Sequence, residues 1–142
     1  MRSGSAGSRK FIVVVLVLAA LGCAGSQRPD NGAALRDIAD RRAGKEVVVE
    51  GTVTSVMPSA EGPSGVHERF ILLIAQPGQR VPVFVADNIS IASAAPIRRG
   101  DDVIVKGELA FNDFGPVIHW THRDPRFRHA PGFISVGGKV YE

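Results

Sequence analysis

The chain has 142 residues, 44% hydrophobic and 22% charged. That is one domain's worth of residues in a globular mixture, which excludes the disordered and collagen-like classes. The formal net charge of +3 invites a nucleic-acid reading, but Arg2, Arg9 and Lys10 fall in a segment expected to be removed, after which 14 basic residues face 14 acidic ones. Attraction to phosphate would then need a local patch rather than the field of the whole molecule.

Positions 1–10 carry three positive charges and no negative one, and Phe11 to Gly22, "FIVVVLVLAALG", is an unbroken apolar run. The run is too short for a membrane-spanning helix, which needs roughly 20 residues. A basic start, a short apolar stretch and small residues at its end predict a secretory signal peptide over 1–22. The sole cysteine, Cys23, follows "AALG" directly. This resembles a bacterial lipobox, although Ala20 stands where Leu is commonest. The resemblance implies cleavage before Cys23 and attachment of a diacylglycerol to its thiol, so that a membrane is the first expected partner. An exported chain with no second cysteine forms no internal disulfide. By analogy with enterobacterial sorting, Ala24 in place of Asp implies the outer membrane, with the domain facing the periplasm. Residues 23–44 read as a lipid-anchored tether, "AGSQRPDNG" from Ala24 to Gly32, and a short helix over Ala33 to Arg42. Gly44 is its expected stop.

Residues 45–142 are expected to form one β domain. "EVVVEGTVTSVM" places Val47, Val49, Gly51 and Val53 on one face of a first strand, with a bend or bulge at Gly51. Ser59 to Gly65 is predicted as a loop. Glu68 to Ala75 is a second strand, apolar on both faces, and Gln76 to Gln79 a tight turn. Arg80 to Ala86 is a third strand, with Pro82 at an edge or bulge. Asp87 or Asn88 could cap a short helix closed by Pro96. Asp102 to Phe111 is a fourth strand with Val103, Val105 and Gly107 on one face. A fifth runs from Pro116 through "PVIHWTH", and the tail "GFISVGGKVYE" reads as a hairpin around Gly137-Gly138. The order strand, strand, strand, short helix, strand, strand predicts an all-β, OB-like Greek-key barrel, a fold that binds ligands on one strand face and its bordering loops. The expected core comprises Phe70, Ile71, Leu73, Val83, Val85, Ile89, Val103, Val105, Leu109, Val117 and Ile118.

The four histidines are His67, His119, His122 and His129, three of them within "HWTHRDPRFRHAPGF" beside Asp124. Histidine is the commonest metal ligand and titrates nearest neutral pH. His119, His122, Asp124 and His129 are therefore candidate ligands for a divalent ion such as Zn²⁺. On one strand His119 and His122 would point to opposite faces, so a shared ion requires the chain to leave strand geometry near Thr121. The competing reading is a hydrogen-bonded loop, with Asp124 accepting backbone N–H groups and Trp120 packing. His67, Asp87, Asn88, Trp120, Arg123 and Arg126 are candidate ligand-binding residues.

"HERFIL", "DNIS", "GDDVIVKGEL", "VIHWTHRDP", "RHAPGFI" and "GGKVY" together resemble an uncharacterised bacterial family, the domain-of-unknown-function family three-four-six-five. The resemblance runs from about Glu46 to the C-terminus and is most specific at "HWTHRDP". It implies a small exported or lipid-anchored protein with one compact β domain and no assigned activity. The family pattern has Gln where this chain has Glu68, His where it has Asp87, and Trp where it has Phe133. At the second position Asp could still ligate a metal, whereas a proton-shuttling role would be lost or retuned.

Two functions from different classes follow. The first is a lipid-anchored binding or structural module of the cell envelope, its partner a small ligand or an envelope protein. The alternative is a metal-dependent hydrolase, of nuclease-like or another kind, using the C-terminal His/Asp cluster. Arg123, Arg126 and Arg128 interleave with Trp120, Phe127 and Phe133 as in single-stranded nucleic-acid binders. The exported compartment argues against nucleic acid as the partner. No Ser–His–Asp arrangement, P-loop or GxGxxG is present.

Overall fold

Short polar side chains open the first element. Asp30 accepts from the Ala33 N–H at 2.8 Å and so caps helix α1, Asn31–Ala39. The computed structural model describes residues 28–142; the expected signal peptide, Cys23 and the tether up to residue 27 lie outside the described residues, and Asn31 and Gly32, expected in the tether, already belong to the helix. Asn31 ties the helix start to the sheet, donating to the carbonyls of Glu50 and Ala75 and accepting from the Glu50 N–H. Ala34 and Leu35 enter the core. The helix ends three residues before the expected Arg42. Arg41, not Gly44, supplies the stop: it takes φ 52°, and the Arg42 and Arg41 N–H groups bond back to the Asp37 and Ile38 carbonyls. That is a Schellman closure with arginine where glycine is usual.

Seven strands follow: β1 Lys45–Gly62, β2 Gly65–Gln76, β3 Gln79–Asn88, β4 Asp102–Asn112, β5 Gly115–His119, β6 Phe133–Val136 and β7 Lys139–Tyr141. β1 serves two neighbours. Its first half pairs with β4 from Lys45 to Thr52, and its second half with β2 from Gly51 to Gly62. Gly51 belongs to both pairings, and a Cβ there would lie 2.4 Å from the Leu73 carbonyl oxygen. The bulges lie further on, at Val53/Ser55 and Met57/Ala60. β3 pairs with β5 in parallel and β5 with β4, which closes the ring β1-β2-β3-β5-β4-β1. This is the OB-like barrel expected from the strand order. Pro82 lies ahead of the two-residue pairing with β5, where that side of β3 is open.

Three expected elements differ. The loop at 59–65 is mostly strand, and β1 runs on to a tight hairpin at Gly62–Gly65. The short helix after Asp87 does not form. β3 continues to Asn88, whose Oδ1 accepts from the Ser90 N–H and whose carbonyl accepts from Ile91 and Ala92. The cap is made, but the turn does not propagate, and the Ala95 N–H goes to the Glu68 carboxylate at 3.0 Å. Finally, β5 stops at His119 instead of His122.

Inside the ring, Val47, Val49, Val53, Phe70, Leu72, Ile74, Val83, Val85, Val103, Val105, Leu109 and Ile118 form the core. The β2 contribution is Phe70, Leu72 and Ile74; the expected Ile71 and Leu73 face outward and are half-buried. A strand apolar on both faces carries no alternation from which to read its inward side. Ile89 and Val117 are likewise only partly buried.

Candidate functional site

The edge of β4 is shared. β5 covers Glu108 to Asn112, and β6 covers Val103 to Lys106. Between them the chain leaves the barrel over 120–132. Trp120 makes the departure, with φ 53°, a backbone conformation uncommon outside glycine. Two glycines admit it. A Cβ on Gly107 would meet the His119 carbonyl at 2.4 Å, and one on Gly132 would meet the Trp120 carbonyl at 2.1 Å. The turn breaks strand alternation one residue earlier than the sequence suggested. It brings His119 and His122 to one side of the molecule.

The excursion is held by buried polar groups. Asp124 accepts from the backbone N–H groups of Arg126 and Arg128 and from the Arg128 Nε at 2.9 Å. The Arg128 guanidinium and these N–H groups hold its carboxyl well below the usual carboxylate range. Thr121 donates to Asp87 Oδ1 at 2.7 Å, both residues being buried. His122 is buried too, and its Nδ1 lies 3.4 Å from the same oxygen without a hydrogen-bond partner of its own. Asp87 stands opposite Glu68 across β2 and β3. Burial, reinforced by the Asp87 charge and opposed by the Ala95 N–H, raises the Glu68 pKa to about 7.

Between the excursion, the outward face of β2 and β3 and the β1–β2 hairpin lies a cleft of ≈ 460 Å³, lined by Ser64, His67, Ala86, Asn88, Ile91, His119, Trp120, His122, Arg128 and His129. All four histidines of the chain meet there. Trp120, 39% exposed, stacks with His119 at 4.6 Å and with His129 at 4.8 Å between ring centroids. His129 stands edge-to-face with His122 at 5.0 Å. Its Nδ1 donates to the Ala130 carbonyl at 2.9 Å. His67 Nε2 faces the Ser64 hydroxyl at 3.3 Å, and Asn88 donates to the Ser64 carbonyl at 2.8 Å. Burial lowers the His119 pKa, against the opposing pull of Glu108, whose Oε1 lies 3.5 Å from Nε2.

Of the candidate residues, His67, Asn88, Trp120, His119, His122 and His129 are thus brought together, with Asp87 beneath His122. Asp124 does not line the cleft but positions Arg128, which does. Arg123 faces elsewhere, pairing with Glu142 on a second cleft. Arg126 is exposed and contributes its backbone N–H to Asp124. Among the described residues no group of three His, Cys, Asp or Glu side chains is arranged to hold a metal ion. The sequence reading did not single out Ser64, Glu68, Ile91 or Thr121. Glu68 carried a visible signal, a lone carboxylate at the head of an apolar strand; the others carried none.

The family described as "protein of unknown function (DUF3465)" matches residues 15–142. The chain belongs to that family. Membership covers both the barrel and the excursion and assigns no activity to either. No curated protein and no solved structure matches the chain.

Proposed function

We propose that this member of the family is an exported, lipid-anchored binding module of the cell envelope, whose small ligand enters the histidine-lined cleft. One observation carries the reading: histidines spread from position 67 to position 129 converge with a partly exposed tryptophan on one concavity. The cleft is framed by the β2–β3 face and the β1–β2 hairpin, where OB folds take ligands. It combines an aromatic surface with a few convergent polar groups, the usual composition of a small-molecule site. The anchor rests on the basic start, the apolar run and Cys23, and Ala24 favours the outer membrane.

Trp120 is the only tryptophan, so its emission reports directly on the cleft. Titrating the purified protein with fractionated small molecules of the envelope should shift that emission, and Trp120→Phe should remove the signal while His67→Ala weakens the response. Cys23→Ser should release the protein from the membrane fraction and abolish incorporation of labelled fatty acid. An emission indifferent to every fraction would overturn the cleft reading. Labelled lipid on the Cys23→Ser protein would overturn the anchor.

A further inference from the structure

We propose that the end of the barrel crossed by helix α1 is a bilayer-contacting surface, with Phe114 entering the lipid interface and exposed basic residues meeting anionic headgroups. The inference rests on the lipid anchor proposed above and goes beyond it by stating which way the anchored domain faces. Strand directions define the end. β3 and β5 run parallel, so the turns that precede them, at 76–79 and 112–115, open on the same side. β1 starts there too, since Lys45 pairs with Leu109 late in β4. Helix α1 lies across this end: Asn31 at its start bonds the Ala75 carbonyl, and Gly44 beyond its close donates to the Leu109 carbonyl.

The length of the tether chooses the occupant. Cys23 precedes Arg28, where the described chain begins, by five residues, a reach of at most about 18 Å. A lipid on Cys23 therefore holds the bilayer beside the end where α1 starts. The cleft lies toward the other end: from Gln76 to His67 β2 spans nine residues, about 30 Å along the strand. Phe114 is 99% exposed, the most exposed large hydrophobic among the described residues. Its turn is held, because Asn112 Oδ1 accepts from the Phe114 and Gly115 N–H groups at 2.8 and 3.1 Å. A ring fixed in water at a turn tip gains by entering a lipid interface. Arg41 and Lys45 are exposed at the same end, Arg41 over the Phe111 ring at 4.8 Å. Arg42 is paired with Asp37 and Asp40, and Asp113 is the carboxylate beside Phe114. One ring and two cations bind a bilayer weakly by themselves. The tether makes their contact intramolecular, at high effective concentration. Phe127, 87% exposed between Arg126 and Arg128, offers similar chemistry on the excursion beside the cleft. Composition does not choose between the two ends, whereas the five-residue tether does.

The test places one free thiol at either end. In the full-length lipidated protein the Cys23 thiol is occupied, so Phe114→Cys and Phe127→Cys each take a single environment-sensitive dye. Both positions are exposed, so neither change removes core packing. The labelled proteins are reconstituted on vesicles with about one-third anionic phospholipid, and brominated acyl chains serve as quencher. The dye at 114 should shift to the blue and lose roughly half its emission to brominated lipid, while the dye at 127 keeps its aqueous spectrum. Lys45→Glu should reduce the quenching at 114, and quenching indifferent to that change would overturn the headgroup contact. Quenching at 127 in place of 114, or aqueous spectra at both, overturns the surface. Flotation of the same vesicles separates this from the anchor. Protein that floats with both dyes in water leaves the anchor standing and removes the contact surface. Protein that fails to float removes both.

Discussion

The wall of the barrel at β4 and the excursion over 120–132 lie side by side and are built by opposite means. In β4, Val103, Val105 and Leu109 turn inward at 0–2% exposure, and hydrophobic burial fixes the register. In the excursion the most buried side chains include Thr121, His122 and Asp124. Hydrogen bonds to carboxylates hold Thr121 and the Asp124 loop, and two glycine contacts admit the turn at Trp120. An apolar wall tolerates a range of shapes so long as volume is kept, whereas a buried polar network works only when each group meets its partner. The part of the molecule with the stricter requirement is the part that lines the cleft.

The contrast can be broken most severely at the wall. Val105→Asp places a charge without a partner at a site 0% exposed and should cost about 3–5 kcal/mol. Loss of the cooperative transition, or a large fall in the denaturant midpoint, is the expected outcome; a near-native midpoint would show that β4 is not core. Gly132→Ala acts on the junction between the two regions. Its Cβ would meet backbone at 2.1 and 2.6 Å, with no flexible side chain to give way. A cost of about 3 kcal/mol, the upper end for overpacking, is expected. Hydrogen exchange should rise over 120–132 while the ring strands stay protected, and uniform loosening would argue against an independently held excursion.

The smallest effect sharpens the comparison through pH. Because the folded pKa of Glu68 is raised from 4.5 to about 7, the folded state holds a proton that the unfolded chain has lost across that interval. Stability from this group is therefore highest below pH 4.5 and declines as pH rises through about 7. After discounting for partial solvent access, the decline is about 1–2 kcal/mol. Glu68→Gln removes the titration, so the difference between variant and wild type in urea midpoints should widen from pH 5 to pH 8. A constant difference would show that Glu68 ionises normally.

The strand order, the closing hairpin and the inward faces of β1 and β4 were legible because each rests on local sequence: period-two alternation, Gly137-Gly138 at a turn with positive φ at both positions, and β-branched runs. The crowding of histidines after β5 was equally plain, and so was the need for a break in the strand. The inward face of β2 was not legible, because its run of apolar residues satisfies either register. Nor was the stop at Arg41, where closure depends on carbonyls three and five residues back rather than on a glycine.

By itself, then, the sequence determined a β barrel of OB order and a polar, histidine-rich segment behind its fifth strand, since burial pattern and turn chemistry are properties of neighbouring residues. Only the tertiary structure decided which of those polar residues face one another. Trp120 takes a left-handed conformation because the backbone packs against Gly107 and Gly132 from distant parts of the chain. Asp124 turns to its loop and Asp87 to Thr121 because carboxylates removed from water must find donors, and those donors are set by the fold rather than by spacing along the chain.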